Sequence, residues 1–193
     1  MQRIAIIDGH PEANPARFCH ALADAYAEGA SDAGHIVARI DIAEMEVSFL
    51  RSKSDWEQNE AAPAIRRAQE IIARANHLVI IYPLWLGGMP AMLKAFFEQA
   101  LRPGFAFSRE LSGLNAGLLR GKSAHVVITM GMPAAVFRFF FLAHSLRSFK
   151  RNVLRFCGIG NIRDTLIGNI EGRSAEDRKT LLADMRQRGV RAA

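Results

Sequence analysis

The sequence predicts an α/β fold in which a five-stranded parallel sheet lies between two layers of helices. Three observations carry this. Five short apolar runs recur along the chain, each followed by a segment of helical spacing, in the order βαβαβαβαβα. The runs read as apolar throughout, as strands covered on both faces do. The chain has 193 residues, half of them apolar and 23% charged. That is enough to bury a core without disulfide or metal staples, and it points to a single domain over residues 1–193.

Ile4-Ala5-Ile6-Ile7 is the first strand, ended by Asp8-Gly9-His10-Pro11. Over residues 16–30, Phe18, Leu22, Ala25, Tyr26 and Ala30 fall on one helical face, and Gly34 stops that helix. His35 to Ile42 is a second strand with Ile36, Ala38 and Ile40 on one side. Residues 43–60 are polar and irregular around Trp56. Pro63 opens a helix to about Ala75. Leu78 to Tyr82 is a third, wholly apolar strand that breaks at Pro83. Pro90 then opens a helix through Leu101, with Met92, Leu93, Phe96 and Phe97 facing inward. Ser123 to Met130 is the fourth strand, and a single Phe-rich helix runs from about Phe137 to Phe156. Asn161 to Gly168 is the last strand, and Ser174 caps a final helix to about Arg188.

Composition narrows the function classes. Two cysteines, Cys19 and Cys157, make no disulfide scaffold and fit a reducing, cytoplasmic setting. The N-terminus has no signal-peptide pattern, and the most apolar stretch, Ala134 to Leu146, is too short to span a bilayer and contains Arg138 and His144. The net charge is +6, which on its face favours nucleic acid or an anionic surface. Residues 1–146, however, hold 14 basic and 14 acidic side chains; residues 147–193 hold 11 basic and 5 acidic. The excess therefore lies in one segment, with a stripe of Arg147, Lys150, Arg151 and Arg155 and a later set including Arg173, Arg178 and Arg186. Such a face reads as a solvated helix flank, a docking surface or a contact for nucleotide phosphates, and no longer argues for nucleic acid. The six histidines have no metal-ligand spacing and there is no CxxC, so no metal site is expected.

Sheets of this class bind ligands beyond the carboxyl ends of their strands, which directs attention to residues 8–18, 83–90 and 129–137. The first loop ends at a helix start, where free N–H groups suit a phosphate and His10 and Arg17 add donors; the alternative is a plain turn at Gly9. It lacks GxGxxG and GxxxxGK[ST], so neither the dinucleotide fingerprint nor the triphosphatase loop is present. In the second loop, Pro83-Leu84-Trp85-Leu86-Gly87-Gly88, glycines let backbone approach a flat ring that the large side chains cover, unless Trp85 and Leu86 simply pack in the core. The third, Thr129-Met130-Gly131-Met132, again offers donors. Phe137 and His144 follow seven apart, two turns along one helix face, and His144 is either a packed core residue or an acid–base group. Cys19, near a helix start, is either a reactive thiol or a small buried residue. The Phe137, Phe139, Phe140, Phe141 cluster either fills the core or marks a partner surface.

The run from Tyr82 to Glu98, YPLWLGGMPAMLKAFFE, continues into Arg102-Pro-Gly-Phe-Ala-Phe107, with Asp8-Gly-His-Pro11 and Thr129-Met-Gly-Met-Pro133 in matching order. On these residues the chain resembles, over roughly residues 3–186, the flavodoxin-like NAD(P)H:quinone oxidoreductases. That family takes in mammalian NAD(P)H dehydrogenase (quinone), modulator of drug activity B and the ancillary proteins of potassium efflux systems. The resemblance implies a flavodoxin-like three-layer αβα sandwich and a noncovalent flavin, FAD or FMN, reduced by NADH or NADPH. It implies two-electron, ping-pong reduction of a quinone-like acceptor by a homodimer. By the same resemblance His10, Arg17, Phe18 and Cys19 hold the flavin phosphate; Pro83, Leu84, Trp85, Leu86 and Gly87 cradle the isoalloxazine. Thr129, Met130, Gly131 and Met132 contact its other edge, and Arg178 lies toward an adenine.

Phe137 stands where the family has a Tyr beside the flavin, and His144 at the family's His, which makes His144 the candidate proton source. A phenyl ring donates no hydrogen bond, so reduced turnover is implied. Ala16 and Arg17 replace the usual Ser or Asn phosphate contacts, and the long C-terminal extension of the mammalian enzymes is missing, which leaves FAD and FMN both open. The other function the family offers is a regulatory subunit docked on a membrane transport protein.

Overall fold

The three most apolar runs form the middle of the sheet. In the computed structural model, which describes residues 1–57, 60–110 and 116–193, β1 (Arg3–Asp8), β3 (His77–Pro83) and β4 (Ser123–Thr129) lie side by side and are buried almost end to end. β2 (Ile36–Asp41) and β5 (Ile162–Ile167) are the edges. All pairs are parallel, in the order β2-β1-β3-β4-β5. Pairings such as Ile7↔Ile80 and Ile80↔Val126 bring the carboxyl ends of the three central strands level.

The pleat divides the core in two. Ile4, Ile6, Val79, Ile81 and Val127 point to one face, where α1 (Phe18–Asp32) and α6 (Ala175–Arg191) cover them with Cys19, Leu22, Tyr26 and Met185. Ile7, Ile80, Tyr82, Val126 and Ile128 point to the other. There α3 (Pro63–Arg74), α4 (Ala91–Ala100) and α5 (His144–Ser148) supply Ile65, Phe96 and Leu146, and Cys157 joins that core. On the first face the helices meet at glycines: a Cβ at Gly29 would lie 2.0 Å from the Arg186 carbonyl oxygen, and one at Gly189 2.2 Å from that of Tyr26.

Three expectations need correction. The strands are not all apolar, because an edge strand has one side free for polar groups: β2 carries Arg39, and β5 carries Arg163, Asp164 and Thr165. Ile36 is exposed for the same reason, while Ile40 is buried. The stretch 43–60, of which 58–59 lie outside the described residues, is not wholly irregular. It holds a 3₁₀ turn at Ile42–Glu44 and the short α2 (Lys53–Glu57), which sets Trp56 against Phe107 at 5.6 Å between ring centroids. The helix expected from Phe137 to Phe156 is broken. A π-turn at Val136–Phe140 ends at Leu142 and Ala143, both left-handed (φ 52° and 47°), before α5 and a second π-helical stretch, Phe149–Arg155. The break separates residues meant for one face. Phe137 points into the core, whereas Phe139, Phe140 and Phe141 are exposed and so do not fill it.

Candidate functional site

The carboxyl ends of β1, β3 and β4 border a cavity of about 350 Å³. It lies where the chain leaves β1 for one side of the sheet and later returns to the other, the crevice that parallel sheets use for ligands. The loop after β1 brings His10, Arg17, Phe18 and Cys19; β3 and the turn beyond it bring Pro83 and Trp85; β4 brings Thr129 and α6 brings Arg178. All are residues the sequence singles out. Arg178 reaches the cavity by lying over the Phe18 ring, 5.9 Å from its centroid, and donating to the Ile170 carbonyl at 2.9 Å. Glu12 and Glu171 also line it; Glu171, which approaches Gly131, had no sequence signal because it lies in an unremarkable polar turn.

The second loop is a two-residue hairpin. Trp85 and Gly88 exchange backbone hydrogen bonds of 2.8 and 2.9 Å, with Leu86 (φ 47°) and Gly87 (φ 78°) both left-handed at its tip, the geometry of a type I′ turn. Leu86 is fully exposed and Trp85 half exposed, so neither is a core residue. Leucine in that conformation costs about 1–2 kcal/mol, and strain of this kind concentrates at functional sites. The Leu86 and Gly87 N–H groups have no backbone partner among the described residues. Trp85 also closes on His10, edge to face at 5.9 Å.

Other expected residues sit differently. Leu84 packs on the core and donates its N–H to the Thr129 carbonyl. Met130 is buried and donates its N–H to Ile167, so of the third loop only Gly131 and Met132 present backbone N–H groups without a backbone partner among the described residues. Phe137 belongs to the core, 2% exposed, while His144 is exposed at the start of α5, so the two do not share a helix face. Cys19 is a packing residue: burial, only partly opposed by the Thr129 hydroxyl at 3.3 Å, pushes its thiol up to about 12. The basic stripe lies apart from the cavity. Arg147, Lys150, Arg151 and Arg155 line a separate cleft of about 440 Å³ with Arg138 and Asp164, and Asp164 pairs with Lys150 and Arg138.

Behind the first loop stands a network that no sequence motif announced. Asp8, the fully buried last residue of β1, accepts from the His10 N–H at 3.3 Å, from His20 Nδ1 at 2.6 Å and from Arg39 at 3.2 Å. His20 Nε2 lies 2.9 Å from the Glu12 carbonyl oxygen. Arg39 is held further by Asp41 and Asp24. Burial, followed by the neighbouring His20, lowers the pKa of His10. Arg17 forms two hydrogen bonds with the Glu12 carboxylate, 2.8 and 2.9 Å, at an exposed position.

The chain is matched over residues 2–189 by the family model described as flavodoxin-like fold. It belongs to that family. Among curated proteins it is 31% identical over 182 residues to an uncharacterized NAD(P)H oxidoreductase of Haemophilus influenzae, covering 92% of this chain and 89% of the relative. An FMN-dependent NADH:quinone oxidoreductase of Nitratidesulfovibrio vulgaris is 26% identical over 167 residues, 76% of this chain and 77% of its own length. Among solved structures, Smu.1420 of Streptococcus mutans superposes with a TM-score of 0.81 at 26% identity, covering 97% of this chain and 98% of its own. Parallel sheets of this class take ligands at such a strand-end crevice, against which a phosphate-bearing flavin can be tested. The residues of the cavity fit one: three basic or imidazole side chains, His10, Arg17 and Arg178, border it, and the Leu86–Gly87 tip offers backbone donors beside it.

Proposed function

We propose that this protein is a cytoplasmic flavin-dependent NAD(P)H oxidoreductase, one flavin-binding domain per chain, that reduces a quinone-like acceptor by two electrons. The observation that carries the reading is the cavity between the β1 loop and the strained Trp85–Gly88 hairpin. The names of the relatives support it, and FMN is the cofactor they favour. When bound, the flavin supplies the two-electron carrier. His10 and Arg17 bind its phosphate. With the flavin bound, the N–H groups of Leu86, Gly87, Gly131 and Met132, without backbone partners among the described residues, would be its backbone donors and Trp85 would wall the slot. Donor and acceptor take turns in that slot, which gives ping-pong kinetics. His144, exposed to solvent at the start of α5, is the residue assigned to proton supply.

The test is the absorbance of the purified protein, identification of the released flavin by mass, and NAD(P)H oxidation with menadione. A colourless protein that neither FMN nor FAD reconstitutes overturns the reading.

A second reading has its own observation. Phe139, Phe140 and Phe141 stand exposed beside a basic stripe whose Arg147, Arg151 and Arg155 pair with no carboxylate among the described residues. This favours a surface for a partner, either a second copy in a homodimer or a membrane transport protein that the chain serves as a flavin-binding subunit. Recovery with a membrane protein, together with turnover far below that of a working reductase, favours the transporter role. A dimer mass in light scattering and full turnover favour the enzyme.

A further inference from the structure

His10 of the first loop and His20 of α1 have adjacent rings, 5.4 Å apart and edge to face, and both approach the Glu12 carbonyl oxygen, at 3.3 and 2.9 Å. Both ring nitrogens of His20 face acceptors, the Asp8 carboxylate at 2.6 Å and the Glu12 carbonyl at 2.9 Å. A neutral imidazole has one N–H and serves one of these; only the imidazolium serves both. Were His20 neutral, the Asp8 carboxylate would keep the proton on Nδ1, and the Nε2 lone pair would face the Glu12 carbonyl oxygen across 2.9 Å. That contact is repulsive, and it falls on the loop rather than on the sheet, because Asp8 retains Arg39.

We propose that His20 is a positioning residue: as an imidazolium bridging Asp8 at the end of β1 to the Glu12 carbonyl, it holds the 10–17 loop in the shape that binds a phosphate. The charged and titratable groups facing its ring are Asp8 from β1, Arg39 from β2, and His10 together with the Glu12 residue from the loop. Arg39 opposes the proton and is itself neutralised by Asp24 of α1 and Asp41 of β2. Burial alone would lower the His20 pKa; the hydrogen bonds to Asp8 and Glu12 outweigh it and raise it above the ordinary 6.5. The loop is therefore held while the His20 ring is protonated and loosens as the pH rises through the raised pKa. The choice of ligand rests on the flavin reading; the charge and bonding of His20 do not.

The test has two arms. In the flavin-free protein, long-range ¹H–¹⁵N spectra follow the His20 ring while amide spectra follow residues 10–17. The expected result is a doubly protonated ring at pH 7 and loop amides that shift with the ring's midpoint. A neutral ring at pH 7, or loop amides indifferent to its titration, overturns the proposal. In the second arm FMN and riboflavin affinities are measured from pH 7 to 9, where the phosphate is already a dianion. FMN binding to the wild type weakens with rising pH, by up to about tenfold per pH unit beyond the pKa. His20→Gln binds FMN more weakly at pH 7 with a flat profile, and riboflavin is unaffected in both. An unchanged profile in His20→Gln also overturns it. A wild type that binds no flavin at any pH defeats the functional reading, and the first arm still decides the role of His20.

Discussion

At the scale of single residues, the site depends on groups whose partners are weak enough to give up. Arg17 is tied to Glu12, but the pair is about half exposed on both sides, and exposed ion pairs contribute little. Arg17 is therefore free to turn to a phosphate. Arg17→Ala should weaken FMN binding roughly ten- to a hundredfold, the range for a hydrogen bond to a charged group, and leave riboflavin binding unchanged; fluorescence titration of both ligands checks this. His144→Ala should lower kcat on the order of a hundredfold if the imidazole is the proton source, with KM for the nicotinamide donor little altered; steady-state kinetics separate the two. His10, Arg17, Phe18, Cys19, Pro83, Trp85 and Thr129 were legible because they belong to contiguous motifs at strand ends. Asp8, His20, Arg39 and Glu171 were not. Asp8 and Arg39 come together only when β1 and β2 pair, and His20 joins them only when α1 packs.

At the scale of elements, the contact between α1 and α6 is the most sharply constrained. Gly29 and Gly189 let two helix backbones approach to distances that exclude a methyl group. Gly189→Ala should destabilise the fold by roughly 1–3 kcal/mol, the usual range for overpacking, seen as a lower urea midpoint at unchanged slope. The start of α6 was legible to the residue: Ser174 accepts from the Asp177 N–H at 3.0 Å in a reciprocal capping box. The break at Leu142–Ala143 was illegible because neither residue is a glycine or proline, and the flanking apolar spacing suits an unbroken helix equally well. The hairpin tip was half legible. The glycines marked a turn, but nothing in the sequence said that Leu86 rather than Gly88 would share the left-handed tip.

Across the whole molecule, two histidines set how the fold responds to acid. His77 and His125 lie in β3 and β4, almost fully buried, bonded to the Ser123 and Thr165 hydroxyls at 2.7 and 2.9 Å. Burial lowers both to about 4. Between that value and the ordinary 6.5, the unfolded chain binds protons that the folded one refuses. Stability is thus intact above about pH 6.5 and falls as pH drops toward 4, by up to about 3 kcal/mol per group. Urea midpoints at pH 7 and pH 5 should show the fall, and His125→Asn should reduce it.

The division of the core supplies a further consequence. Each face of the sheet holds one buried thiol, Cys19 from α1 on the face that α6 also covers, Cys157 on the opposite face. Cys19 borders the strand-end cavity and Cys157 a separate cleft with Trp56 and Phe107, so a small disulfide reagent added to the native protein reaches the two buried sulfurs by different routes. Two labelling clocks, read peptide by peptide in a mass spectrometer, therefore report on each side separately. A ligand that grips the 10–17 loop at the head of α1 should slow the Cys19 clock and leave the Cys157 clock running.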